Sequence, residues 1–254
     1  MNVLYEFPLN ERMRNFMRLE NCFAQIQHFA NHTTSWESQT TLLALIEILN
    51  IIERNDIRNE VCKELERHMA TLRTYSDTPG VNAITLNKTL NELEFHLDAV
   101  LSTAAKMSRV VREDELLNSV RQRVALAATV NSFDIPGFYY WLHQPSTDRQ
   151  QQITQWLSDS LPIINGITII NRLLRESTIF EQQTADSGFY QKTLNPQLAC
   201  QMVRIELPAE VGFFPETSGS KHRVNIRFLS YETANKRPTQ IIGNIDFAIS
   251  CCAI

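Results

Sequence analysis

The spacing of apolar residues changes period near Phe180, and this change constrains the fold more than any other feature of the chain. Upstream, apolar residues recur every three or four positions, the period of an amphipathic helix. Downstream, short alternating runs are punctuated by Gly188, Pro196, Pro208, Gly212, Pro215, Gly219, Pro238 and Gly243, a pattern of strands and tight turns. At the other end, Val3, Tyr5 and Phe7 alternate with Asn2, Leu4 and Glu6 before Pro8, which predicts a strand with no strand neighbour nearby in sequence. That strand is expected to join the C-terminal sheet and bring the termini together. The fold class is therefore α+β. An all-helical domain over residues 9–182 is expected beside a mainly antiparallel β domain made of residues 1–8 and 183–254.

The helical half reads in order. Asn10 can cap a first helix carrying Met13, Phe16, Leu19, Phe23 and Ile26. A second, about 38–53, is apolar over most of its circumference and should lie centrally. Asn55 or Asp56 can cap a third, striped by Ile57, Val61, Leu65, Met69 and Leu72, and 76–80 reads as a turn. Leu86, Leu90, Leu93, Leu97 and Val100 define a fourth. A fifth, about 113–125, turns Leu116, Leu117, Val120 and Val124 inward. Pro136 opens a short helix carrying Phe138, Tyr139, Tyr140 and Trp141, with Pro145 just past its end. Thr147 with Gln150 has the form of a capping box ahead of Ile153, Trp156 and Leu157, and Pro162 starts a long helix striped by Ile163, Ile167, Ile170 and Leu174. Strands are expected near 189–190, 201–207, 223–229 and 244–250.

Composition limits the partners. A net charge of -4 argues against a general nucleic-acid binder, while leaving room for a local basic patch. The longest apolar run, 41–52, is broken by Glu47 and Asn50 and is too short to span a bilayer. The first residues lack the basic and apolar regions of a secretory signal, and five cysteines without scaffold spacing fit reduced thiols, so a cytosolic protein is expected.

Two stretches stand out for recognition. Residues 221–228 alternate Lys221, Arg223, Asn225 and Arg227 with His222, Val224, Ile226 and Phe228, giving one basic and one largely apolar face. No acidic residue lies on the basic face of that strand, so its cations repel unless something anionic answers them. Residues 111–145 combine Arg112-Glu113-Asp114, Arg121-Gln122-Arg123 and the Pro-framed aromatics. Catalytic motifs are missing: there is no GxGxxG, GxxxxGK[ST] or GxSxG. His28 and His32 stand four apart without a third ligand at a recognisable spacing, and Cys251-Cys252 reads as strand-end thiols. Asp134 before Ile135-Pro136 reads as a helix cap, and His143 beside Trp141 as a packed or rim histidine, in preference to an acid–base pair of a hydrolase.

The segments YEFPLNERMRNFMRLE at 5–20, VREDELLNSVRQR and SFDIPGFYYWLHQP within 111–145, and SGSKHRVNIRF at 218–228 resemble the cell division protein ZapD family. GFYQ at 188–191 and the IDFAISCC tail extend the resemblance to residue 252. It implies a helical domain joined to a β domain, a symmetric homodimer in the cytoplasm at the division site, no catalysis and no cofactor or metal. It further implies binding to the C-terminal tail of FtsZ, so that a dimer cross-links and bundles FtsZ filaments, without nucleic acid or membrane insertion. Positions matching the family's tail-binding arginines are Arg18, Arg54, Arg58, Arg223 and Arg227. Arg112, Arg121 and Arg123 are expected in the patch, or holding it by ion pairs with Glu113 and Asp114. Tyr139, His143 and Lys221 complete the site, with Phe138 and Tyr139 lining a groove. Glu115 stands where relatives can carry a basic residue, and Tyr139 where a histidine can occur. The competing expectation is a basic-faced module for another anionic ligand, such as nucleic acid or phospholipid headgroups.

Overall fold

The computed structural model describes residues 1–29, 33–103, 109–127, 131–231 and 236–254. Strand β1 (Asn2–Pro8) leads into α1 (Glu11–Phe29), α2 (Ser35–Arg54), α3 (Ile57–Arg73), α4 (Ala83–Ser102), α5 (Arg109–Glu113), α6 (Glu115–Ala127), α7 (Pro136–Leu142), α8 (Ser146–Leu157) and α9 (Leu161–Glu176). Then follow β2 (Glu181–Ala185), β3 (Phe189–Thr193), β4 (Met202–Pro208), β5 (Phe214–Gly219), β6 (Arg223–Ser230), β7 (Thr239–Gln240) and β8 (Ile245–Cys252). The chain divides into two units: Met1–Met17 with Asn171–Ile254, and Arg18–Ile170.

In the helical unit α2 is the central element, with Leu42, Leu45 and Ile48 each 0% exposed. It begins earlier than its apolar run because Thr34 and Glu37 cap it reciprocally, Thr34 Oγ1 accepting from the Glu37 N–H and the Glu37 carboxylate from the Thr34 N–H. Helix α3 packs on α4, each burying one stripe, Val61 and Leu65 on the first and Leu86, Leu93 and Val100 on the second. Gly166 lets α9 come close to α3, since a Cβ there would lie 2.8 Å from Val61 Cγ1.

Three local expectations are corrected. The helix expected over about 113–125 starts two residues later, as α6, because Asp114 ends α5 and caps α6: its carboxylate accepts from the Leu117 N–H at 2.8 Å and from Trp156 Nε1 at 2.9 Å, anchoring the indole as well. Thr147 and Gln150 form no capping box; α8 starts at Ser146 after Pro145, whose locked φ begins the turn, and the Thr147 hydroxyl donates to Asp148 instead. Asp134 is not the cap of α7, which begins at Pro136 with Ile135 preceding it; its carboxylate pairs with Arg123.

The sheet unit holds two antiparallel sheets, ordered β1-β4-β8-β2 and β3-β6-β5, with β7 paired to β6. The strand at the N-terminus does join the C-terminal strands, pairing with β4 from Asn2↔Pro208 to Pro8↔Met202. Val203, Ile205 and Leu207 of β4, Phe247 and Ile249 of β8, and Val224, Ile226 and Phe228 of β6 form one buried cluster. The chain passes from β2 to β3 through Ser187 and Gly188 at φ 50° and 70°, both left-handed, with the Phe189 N–H bonded to the Asp186 carbonyl. Glycine is needed there twice over: a Cβ on Gly188 would stand 2.3 Å from the Ile241 carbonyl oxygen. Glu6 of β1 receives Arg175 Nε at 2.9 Å and Arg204 Nε at 3.2 Å, tying β1, β4 and the end of α9 together.

Candidate functional site

Strand β6 divides its residues as its alternation dictates. Val224, Ile226 and Phe228 are each 0% exposed, while Arg223 and Arg227 face solvent. Pairing builds rows across the outer face. Arg227 lies between Phe189 of β3 and Glu216 of β5, Asn225 between Gln191 and Ser218, and Arg223 beside Thr193. These side chains, Thr193 excepted, line a shallow pocket of about 530 Å³. The expectation of an unanswered basic face is corrected at one end, because the neighbouring strand supplies the acid: Arg227 pairs with Glu216. Both partners are about half exposed, so the pair contributes only about 0–1 kcal/mol and exchanges readily for another carboxylate. Among the described residues no carboxylate reaches Arg223. Lys221 is exposed in the bend just before β6.

The two arginines are four residues apart on an extended strand, so their Cα atoms are separated by about 13 Å. Two fixed cations at that spacing, with an amide between and an aromatic edge beside them, can receive two carboxylates and a backbone carbonyl from an extended peptide.

The other expected site residues lie in the helical unit, and their surroundings sort them. Arg58 donates to the Val100 and Leu101 carbonyls at 3.2 and 2.8 Å, capping the end of α4. Arg121, with its side chain 14% exposed, donates to Asn50 Oδ1 at 3.0 Å and pairs with Glu53, clamping α6 to α2. Arg123 pairs with Asp134. Of the two roles expected for Arg121 and Arg123, the structure shows ion pairing, but with Glu53 and Asp134; Asp114 is spent on the α6 cap and Trp156. Arg18, Arg54 and Arg112 are exposed on α1, α2 and α5. Tyr139 and His143 form an exposed pair on α7, ring centroids 4.4 Å apart, with His143 Nδ1 2.8 Å from the Tyr139 carbonyl. Phe138 is no groove wall: it is 2% exposed and stacked on Trp141. A groove beside α7 of about 730 Å³ is lined by Tyr140, Trp141, Glu115 and Asp148, an acidic rim unsuited to an acidic segment.

Sequence reasoning missed Glu216 and Phe189 as neighbours of the arginines. The reversal falls at Lys221-His222, which sets the register that puts Glu216 opposite Arg227; alternation alone reads those two residues as part of the strand. His28 is exposed near the end of α1, while His32 lies outside the described residues. Among the described residues no three His, Cys, Asp or Glu side chains gather to hold a metal ion, and no helix is long and apolar enough to cross a membrane.

Comparison with known proteins gives a consistent result. The profile of a family described as cell division protein ZapD matches residues 17–227. Cell division protein ZapD of Methylococcus capsulatus is 36% identical over 252 residues, covering 99% of this chain and 98% of that protein. The Azoarcus protein of the same name is 35% identical over 99% of this chain and 100% of its own length, and that of Pectobacterium atrosepticum 34% over 98% and 97%. With a family profile matching residues 17–227 and relatives more than 30% identical over nearly the full length, the chain belongs to the ZapD family of cell division proteins.

Proposed function

We propose that this protein binds the C-terminal tail of FtsZ and, as a homodimer, cross-links and bundles FtsZ filaments at the division site, without a catalytic step. The observation that carries the reading is the outer face of β6, where Arg223 and Arg227 flank Asn225 in an open pocket over a rigid sheet. Family membership supports it. An extended tail laid along this face exchanges its carboxylates for Glu216 at Arg227 and for water at Arg223, with Lys221 at the far end. Arg18, Arg54 and Arg112, together with the Tyr139–His143 pair, are the exposed groups that the helical unit offers to the same partner. Arg58, Arg121 and Arg123 act by holding helices in place.

Ordering a flexible tail offsets much of the gross gain, so each contact is weak, and two sites on one dimer facing a repeating filament convert it to avidity. A fluorescein-labelled peptide of the FtsZ tail, followed by anisotropy, should bind at low salt and weaken steadily as salt rises. Absence of binding at every salt concentration would overturn the reading. Asp134 paired to Arg123 and His143 turned to the Tyr139 carbonyl are each engaged apart from the other, which is no arrangement for acid–base work. Glu216→Gln should release Arg227 and tighten the peptide by roughly 2- to 5-fold, the worth of an exposed ion pair. Weaker binding by that variant would mean that Glu216 contacts the tail itself.

A further inference from the structure

We propose that the outer face of β6 continues past Arg227 into an apolar shelf of Phe214, Leu229 and Tyr231, which takes one bulky apolar side chain of the FtsZ tail. Resting on the placement of that tail along β6, the shelf calls for an extended acidic peptide with the apolar side chain two residues beyond the carboxylate over Arg227. Register builds the shelf. Glu216 stands opposite Arg227 and Phe214 opposite Leu229, so Phe214 and Leu229 share the face of the ion pair one row further along. On its other side Leu229 faces Gln240 of β7. The Phe214 and Tyr231 rings lie 5.4 Å apart at 30° to each other. Their sequence neighbours turn the other way: Phe228 is 0% exposed in the buried cluster, and Phe213 meets it edge to face at 5.9 Å.

The shelf is open to a partner. Tyr231 is 61% exposed and Phe189, beside Arg227 on β3, is 39% exposed, while Phe214 is half-buried and Leu229 buried. Three aromatic side chains thus border the Arg227–Glu216 pair on one face. Covering such rings with an apolar side chain releases their water, and a tyrosine supplies contact area at little conformational cost. Toward the start of β6 the outward residues are instead Arg223, Asn225, Gln191, Ser218 and Thr193. The face is therefore polarised, cationic and polar at one end and apolar at the other.

Spacing selects the peptide. Successive rows on a strand face are about 7 Å apart, and side chains on one side of an extended peptide repeat at the same interval. A carboxylate over Arg227 therefore sets the side chain two residues away over the shelf. The carboxylate over Arg223 lies four residues off in the opposite direction, and this order holds whichever way the peptide runs. The two ends of the face act differently: charge contacts weaken as salt rises, whereas apolar burial persists. The acids supply attraction and the apolar anchor supplies register, because a slip of two residues would lay a carboxylate over the rings. Glu216 on the same face repels the phosphates of a nucleic-acid strand, which favours a peptide.

The test uses the full-length protein and a fluorescein-labelled FtsZ tail peptide, followed by anisotropy across a salt series. Tyr231→Ser should weaken binding roughly 5-fold at every salt concentration, with the salt slope and the thermal melt unchanged. Tyr231→Phe should bind as the unmodified chain, and Arg223→Gln should instead flatten the slope. Ile84→Ser, at an exposed apolar position on α4, should change nothing. Serine in place of each bulky apolar residue of the peptide in turn should find one whose effect is not additive with Tyr231→Ser. Full affinity in Tyr231→Ser, an equal loss in Ile84→Ser, or additivity for every peptide residue overturns the shelf while the tail reading stands. Absence of peptide binding to the unmodified protein at every salt concentration overturns both. Displacement of the peptide by single-stranded oligothymidylate, lost in Tyr231→Ser, would overturn the shelf in favour of a stacked base.

Discussion

Replacing Arg223 and Arg227 together with glutamate is expected to abolish FtsZ bundling while leaving the fold intact. In the proposed complex each arginine offers a charge-assisted hydrogen bond to a tail carboxylate, whose loss would cost about 1.5–3 kcal/mol. Reversal adds repulsion where attraction was, so tail affinity should fall by at least about 100-fold, four units of charge having changed on one face. In the proposed homodimer avidity would multiply that loss, because both sites would fail together. Stability should move little, since both side chains point to solvent and the buried Val224, Ile226 and Phe228 are untouched. The new carboxylate at 227 would face Glu216 across the β5–β6 pair, a cost of about 1 kcal/mol or less. Sedimentation with polymerised FtsZ, alongside a thermal melt of the variant, checks both halves. Full bundling by a folded double variant would remove the β6 face from the site.

Replacing Arg149 with methionine should be the most damaging single change in the helical unit, lowering its stability by about 3–5 kcal/mol. The guanidinium is 4% exposed. Nε donates to Ser38 Oγ at 3.0 Å, one terminal nitrogen to the Leu142 and Gln144 carbonyls at 2.7 and 2.5 Å, and the other to the Thr33 carbonyl at 2.6 Å. One cation thus gathers the carbonyls at the end of α7, the start of α2 and α8 itself. Its charge is answered by the partial negative end of α7 instead of a carboxylate among the described residues. Methionine keeps much of the volume but leaves the buried Leu142 carbonyl and Ser38 hydroxyl, and the part-buried Gln144 and Thr33 carbonyls, without this donor, which is why the cost exceeds that of a cavity alone. Chemical denaturation monitored by tryptophan fluorescence gives the number. A loss below about 1 kcal/mol would mean that water or another side chain takes over those carbonyls.

Arg149 also marks the limit of what the sequence discloses. Periodicity finds what alternates or winds: the outward cations of β6, the stripe through Leu86, Leu93 and Val100, and a β1 strand that had to find partners far along the chain. It does not find an arginine buried by three elements that come together only after folding. Nor does it find Asp114, because the apolar stripe of Leu116, Leu117 and Val120 runs on smoothly beside the break, and the reason for the break is Trp156, 42 residues later. Asp134 precedes Ile135-Pro136 as a cap would, yet Arg123 competes for the same carboxylate and wins by charge. Strands β2 (EQQTA) and β5 (FPETSG) were invisible because they lack an alternating apolar face; β8 and β6 recruit them by backbone pairing. On the candidate site, the sequence disclosed the cations of β6 but not their setting, since Glu216 and Phe189 arrive from neighbouring strands.

The central question is whether the FtsZ tail is what the protein grips. The direct measurement is to polymerise FtsZ from the same organism with GTP, add this protein, and sediment the bundles with and without the last ~15 residues of FtsZ, a length that spans the β6 face with residues to spare. Bundles that pellet with intact FtsZ and vanish with the truncated form are the predicted result. Equal pelleting of both forms, or none with intact FtsZ at any salt, would contradict it.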